Sequence, residues 1–147
     1  MTVNNSAHNL VNLNGHVLCA VDTETTGLMA GHHDLIEIAV IPLDGNIEPS
    51  KEILPFHTLI RPKQRYPDSI TEEAMKSNKI RMEDLFTFGL DAFRAADLFE
   101  EWILRLNLPP YKKIAPLGCN WPFDKGFIMD WLGPKTFEGL FHYEFRD

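Results

Sequence analysis

Asp22 and Glu24 stand one residue apart at the end of an apolar run, "HVLCAVDTETTG", and are followed by Thr25, Thr26 and Gly27. In a strand, residues i and i+2 project the same way, so the two carboxylates share a face. Like charges held together cost stability unless a cation lies between them. Hard divalent ions such as Mg²⁺ take one or two carboxylates together with water and phosphate oxygens. Alone, two acids so spaced describe a solvated loop. The buried strand ahead of them turns the reading towards a metal site.

A third acid, Asp124, follows in "GCNWPFDKGFI", residues 118–128. It falls in the first turn of a helix, just past another strand. An acid there is stabilised by the helix dipole and needs no further role. A strand parallel to the first, however, brings its following turn to the same rim. Three carboxylates can then converge on a pair of ions.

The elements that must position these acids are readable from pattern. Residues 16–24 are continuously apolar, as in a central strand buried on both faces. Gly27 to Gly31 is a loop. Residues 34–44 form a second strand ending at the turn signal Asp44-Gly45-Asn46, and residues 51–62 a third, with Pro55 favouring an edge or a bulge. Asp68 or Ser69 caps a short helix. Residues 91–108 place Phe93, Ala96, Leu98, Phe99, Trp102, Ile103 and Leu106 at helical spacing. Residues 113–120 read as a fourth strand. A helix with Pro122 at or near its first position follows, stopped at Gly133-Pro134. Residues 141–147 look like the start of a fifth strand. The class is α/β: a three-strand antiparallel meander plus parallel strands, flanked by helices.

At 147 residues and 44% apolar content the chain has the size of one domain with a real core. We expect a flexible polar arm over residues 1–14 and the domain over 15–147. The net charge of −7 argues against charge-driven coating of nucleic acid, but leaves room for a local grip on a strand. No apolar run is long enough to span a membrane, and the start lacks the regions of a secretion signal. Cys19 and Cys119 are too few for a disulfide framework. The expected location is cytoplasmic.

"VDTETTGL" and "NWPFDKGFI", about a hundred residues apart, resemble the first two motifs of DnaQ-like 3′–5′ exonucleases. These form the DEDDh branch of the DEDD superfamily, with an RNase H-like fold. The resemblance runs from about residue 16 to the end of the chain. It implies that Asp22, Glu24 and Asp124 hold two ions, Mg²⁺ or Mn²⁺, for hydrolysis of the terminal phosphodiester of DNA or RNA, with release of nucleoside monophosphates. Thr25, Thr26, Gly27 and Leu28 would touch the 3′-terminal nucleotide, and Asn120 and Phe123 would contact or support the strand. Gly27 would serve close approach or simply a turn. The implied partners are a single-stranded 3′ end and a polymerase or other replication protein.

The family's third motif, H-x₄-D, supplies the general base and a fourth acid. His142 and Asp147 have that spacing, but only 17 residues separate Asp124 from His142. "FEGLFHYEFRD" resembles instead the fifth strand, so the third motif is expected to be missing and the domain incomplete at its C-terminus. The alternative function is a non-catalytic RNase H-like module that binds a nucleic-acid end or a repair partner. His32 and His33 read as a solvated loop, and Trp102, Trp121 and Trp131 as core, with Trp121 an alternative base-stacking surface.

Overall fold

The structure, a computed structural model, describes Leu10 and residues 12–147. Most of the expected N-terminal arm lies outside the described residues. In chain order the strands are β1 (Asn12–Leu13), β2 (His16–Thr25), β3 (Leu35–Pro42), β4 (Phe56–Leu59) and β5 (Ile114–Leu117). The helices are α1 (Glu72–Asn78), α2 (Met82–Phe88), α3 (Ala92–Ile103), α4 (Trp121–Leu132) and α5 (Pro134–Leu140).

The strands form one mixed sheet centred on β2. β3 pairs antiparallel along it from Cys19 opposite Pro42 to Glu24 opposite Glu37, and β4 continues the meander beyond β3. β5 pairs in parallel, from Val17 opposite Ile114 to Ala20 opposite Leu117. β1 pairs antiparallel with the start of β2. This is the expected arrangement of a meander joined to a parallel strand.

Alternation along β2 separates two apolar faces. Val17, Cys19 and Val21 join the main core with Phe99 and Trp102 of α3, Trp121 and Ile128 of α4, and Phe137 of α5. Leu18 faces the other way, into a smaller cluster with Leu43 and Ala115. Stacked rings run through the main core: Phe99 lies 5.9 Å from Trp102, and Phe137 lies 4.9 Å from Phe141. All three tryptophans are buried, so Trp121 presents no base-stacking surface.

Several boundaries differ from expectation for local reasons. The third strand is regular only over β4. Ahead of it the Ser50 hydroxyl accepts from the N–H groups of Glu52 and Ile53, and Pro55 has no N–H to give. α1 is capped by Thr71, whose hydroxyl accepts from Ala74 N–H, and not by Asp68 or Ser69. Asp68 is engaged with His32 instead. Asp91, the first residue of the expected helix, caps α3, and the helix tightens into a 3₁₀ turn at Leu104–Leu106 and ends at Asn107 in the left-handed region. The C-terminal strand is reduced to two parallel bridges, Phe141 to Ile114 and Arg146 to Leu117. No helix among the described residues is long and apolar enough to cross a membrane.

Candidate active site

β5 stops at Leu117, whereas β2 runs on to Thr25, so the end of β2 has a free edge. The turn after β5 carries α4 to that edge. Gly118 makes the approach possible: a Cβ there would lie 3.1 Å from the Val21 carbonyl oxygen and 3.7 Å from Asp124 Oδ2. Asp124, in the first turn of α4, is buried and accepts a hydrogen bond from Thr23 Oγ1 at 2.5 Å. Thr23 faces the helices. Asp22 and Glu24 project from the opposite face of β2, Asp22 exposed and Glu24 half-buried.

The three acids act on one another by charge. Burial pushes Asp124 up to about 6; the Asp22 charge adds to this, while the bond from Thr23 works against it. Glu24 is also raised, first by burial and then by Asp22, Glu37 and Asp124. Glu37 stands directly opposite Glu24 on β3, and His57 meets the Glu37 carboxylate at 2.7 Å. Cross-strand like charges destabilise a sheet. A cation would relieve all of these shifts at once.

Among the described residues no three Asp, Glu, His or Cys side chains stand close enough to enclose one ion by themselves. The acids therefore do not form a closed cage. They nevertheless suit a hard divalent ion, which needs only one or two carboxylates if water and phosphate complete its shell. The donor type and the mutual repulsion fit such an ion.

A cavity of about 590 Å³ opens beside Glu24. Thr25, Gly27, Leu28 and Phe123 line it, as do Met29, His33 and residues of α1; no lysine or arginine does. Leu28 is 80% exposed, free to meet a ligand. Thr26 is not on this surface. It is fully buried, its hydroxyl donating to the Ser69 carbonyl at 2.5 Å and accepting from Asp34 N–H at 2.8 Å. Its carbonyl accepts from both the N–H and the hydroxyl of Thr71. Thr26 thus ties the end of β2 to β3 and α1. Asn120 lies outside the cavity wall too, in the left-handed region that asparagine tolerates, with its N–H bonded to Asp147 Oδ1 at 2.8 Å.

Sequence reasoning missed His33. It is buried rather than solvated, and its ring covers Gly27 so closely that a Cβ at Gly27 would fall 2.3 Å from it. Close approach, not positive φ, is what Gly27 supplies. His32 stacks on Tyr66 at 4.6 Å and bonds Asp68.

His142 and Asp147 are not brought together at the acids. The His142 ring packs on His16 at 3.8 Å, at the start of β2, and the His142 backbone N–H donates to the Ile114 carbonyl at the start of β5. Asp147 lies beyond the other end of β5, against Asn120. Cys19 is buried and Cys119 exposed, and both are free thiols.

A family model for exonucleases, of the RNase T type, matches residues 19–110. The chain belongs to this exonuclease family. The matched stretch includes Asp22 and Glu24 and ends before Asp124. The structure of cell-death related nuclease 4 superposes with a TM-score of 0.58 and 18% identity, over 76% of this chain and 38% of that one. Exonuclease I of E. coli in complex with a dA16 oligonucleotide superposes with a TM-score of 0.59 and 19% identity, over 75% of this chain and 22% of that one. These likenesses establish the RNase H-like exonuclease fold. This exonuclease-family chain spans well under half the length of either. No curated protein matches it.

Proposed function

We propose that the chain is a metal-dependent 3′–5′ exonuclease domain that removes nucleoside monophosphates from single-stranded DNA or RNA. The observation that carries this is the charge coupling of Asp22, Glu24 and Asp124 beside an apolar cavity in an exonuclease-family fold. Asp22, Glu24 and Asp124 would hold two divalent ions, Mg²⁺ or Mn²⁺. Such ions, when bound, lower the pKa of a water and neutralise charge developing on the phosphodiester. Thr23 fixes the Asp124 carboxylate, and the hydrogen bond favours its charged, ligating form. The cavity receives the uncharged terminal nucleoside, because its wall is largely apolar and carries no basic side chain. Leu28 and Phe123 bracket the base, while Thr25 closes the floor by bonding the Gly27 carbonyl at 2.6 Å. Thr26 and Asn120 support these surfaces from behind. A cytoplasmic setting and delivery of the 3′ end by a polymerase or other replication protein belong to the same reading.

The test is degradation of internally labelled single-stranded DNA and RNA in parallel, with Mg²⁺, with Mn²⁺ and with chelator. Activity should require the ion, proceed from the 3′ end and vanish in Asp22→Ala. Binding of the strand without hydrolysis under every ionic condition would leave the non-catalytic module in its place.

A further inference from the structure

We propose that His33 is the cavity's hydrogen-bond donor to the base of the terminal nucleotide. This deepens, and rests on, the reading of the cavity as the terminal-nucleoside pocket. His33 is 7% exposed yet forms part of the cavity wall. Its Nδ1 accepts from Met29 N–H at 2.9 Å, so the neutral ring carries its proton on Nε2. Among the described residues that N–H meets no acceptor. A buried donor left unpaired is costly, and a ligand acceptor would satisfy it.

Three of the four hydroxyls on this wall are already committed, and the fourth, that of Ser77, is on an exposed residue. Thr23 spends its proton on Asp124, Thr25 on the Gly27 carbonyl and Thr71 on the Thr26 carbonyl. Glu24 and Glu73 of the same wall are acceptors when ionised. They suit sugar hydroxyls and repel a phosphate, which leaves the base as the part that offers acceptors to a neutral imidazole. Gly27 is the local provision for this arrangement, since any side chain there would displace the ring.

The test compares binding of thymidine 5′-monophosphate and 2-deoxyribose 5-phosphate, with Mg²⁺ present, to wild type, His33→Asn and His33→Gln. Asparagine keeps an acceptor near the Nδ1 position for Met29 but no donor near Nε2; glutamine does the reverse. We expect His33→Asn to bind the nucleotide about fivefold more weakly, the scale of one neutral hydrogen bond. His33→Gln should stay within about twofold, and sugar phosphate binding should not change in either. Equal weakening of both ligands in both variants would make His33 merely structural and overturn the proposal. In wild type labelled with ¹⁵N-histidine, the nucleotide should shift the His33 Nε2 resonance and the sugar phosphate should not. That needs no variant to fold, and an unmoved resonance also overturns the proposal. If wild type binds neither ligand, the pocket reading itself fails; if it binds the nucleotide with His33 indifferent, only this inference does.

Discussion

The Thr23 hydroxyl donates to Asp124 Oδ1 across 2.5 Å, joining the strand of the first motif to the helix of the second. The bond joins residues 101 apart in sequence and is buried. It opposes the upward pull of burial and of the Asp22 charge on the Asp124 carboxyl. Thr23→Val keeps the shape and removes the donor. A buried carboxylate without that partner should cost about 1–3 kcal/mol of stability, and Asp124 should titrate above its wild-type value of about 6. Urea unfolding and carboxyl NMR titration read the two effects separately. An unchanged titration would show that the hydroxyl does not control the acid.

The raised carboxyl of Asp124 also sets a pH dependence. Its ordinary value is 3.8 and its folded value about 6, so the folded state binds this proton more tightly than the unfolded one. The stabilisation is fully present below pH 3.8 and is lost as pH rises through about 6. Allowing for solvent screening, it is worth on the order of 1 kcal/mol. Without divalent ions, Asp124→Asn should therefore be more stable than wild type above about pH 6. Mg²⁺ should reverse that order at pH 7.5, because only the carboxylate ligates it, and should do little at pH 5. Melting temperatures across pH, with and without Mg²⁺, test this. Equal stabilisation of both proteins by Mg²⁺ would exclude Asp124 as a ligand.

What could be read in advance was what depends on period and on strong local signals. The apolar run into Asp22 and Glu24 forms a central strand because only a strand buried on both faces tolerates it. Gly133, before Pro134, marks a helix end through cap chemistry that acts within one turn. Long-range competition was not legible. Thr71 rather than Ser69 caps α1, and the Ser69 carbonyl is instead held by Thr26, 43 residues earlier. The paired histidines divided between surface and interior because Gly27 leaves a hollow for only one of them. The 17 residues between Asp124 and His142 already speak against a place for His142 among the acids; its actual place, against His16 and the Ile114 carbonyl, is a long-range contact that spacing does not contain.

Arg65 closes the underside of the site and supplies the last prediction. Its Nη2 lies 3.3 Å from Asp34 Oδ1 and 2.9 Å from Asp130 Oδ2, bridging the start of β3 to α4. The Asp34 side chain is only 4% exposed, and its other oxygen accepts from Gln64 N–H at 3.0 Å. Asp34 also grips Thr26 through its backbone N–H and carbonyl, so its position bears on the cavity floor. Arg65→Ala leaves a buried charge with one donor. Removing one partner of a fully buried pair costs about 3–5 kcal/mol; with Arg65 itself 30% exposed, we expect about 2 kcal/mol. Lysine is a point charge that cannot reach both carboxylates at once, so Arg65→Lys should recover less than half. Urea unfolding of the two variants, together with Asp34→Asn in the alanine background, decides the matter. If the asparagine fails to restore stability, the penalty comes from lost packing of the arginine stem and not from the stranded Asp34 charge.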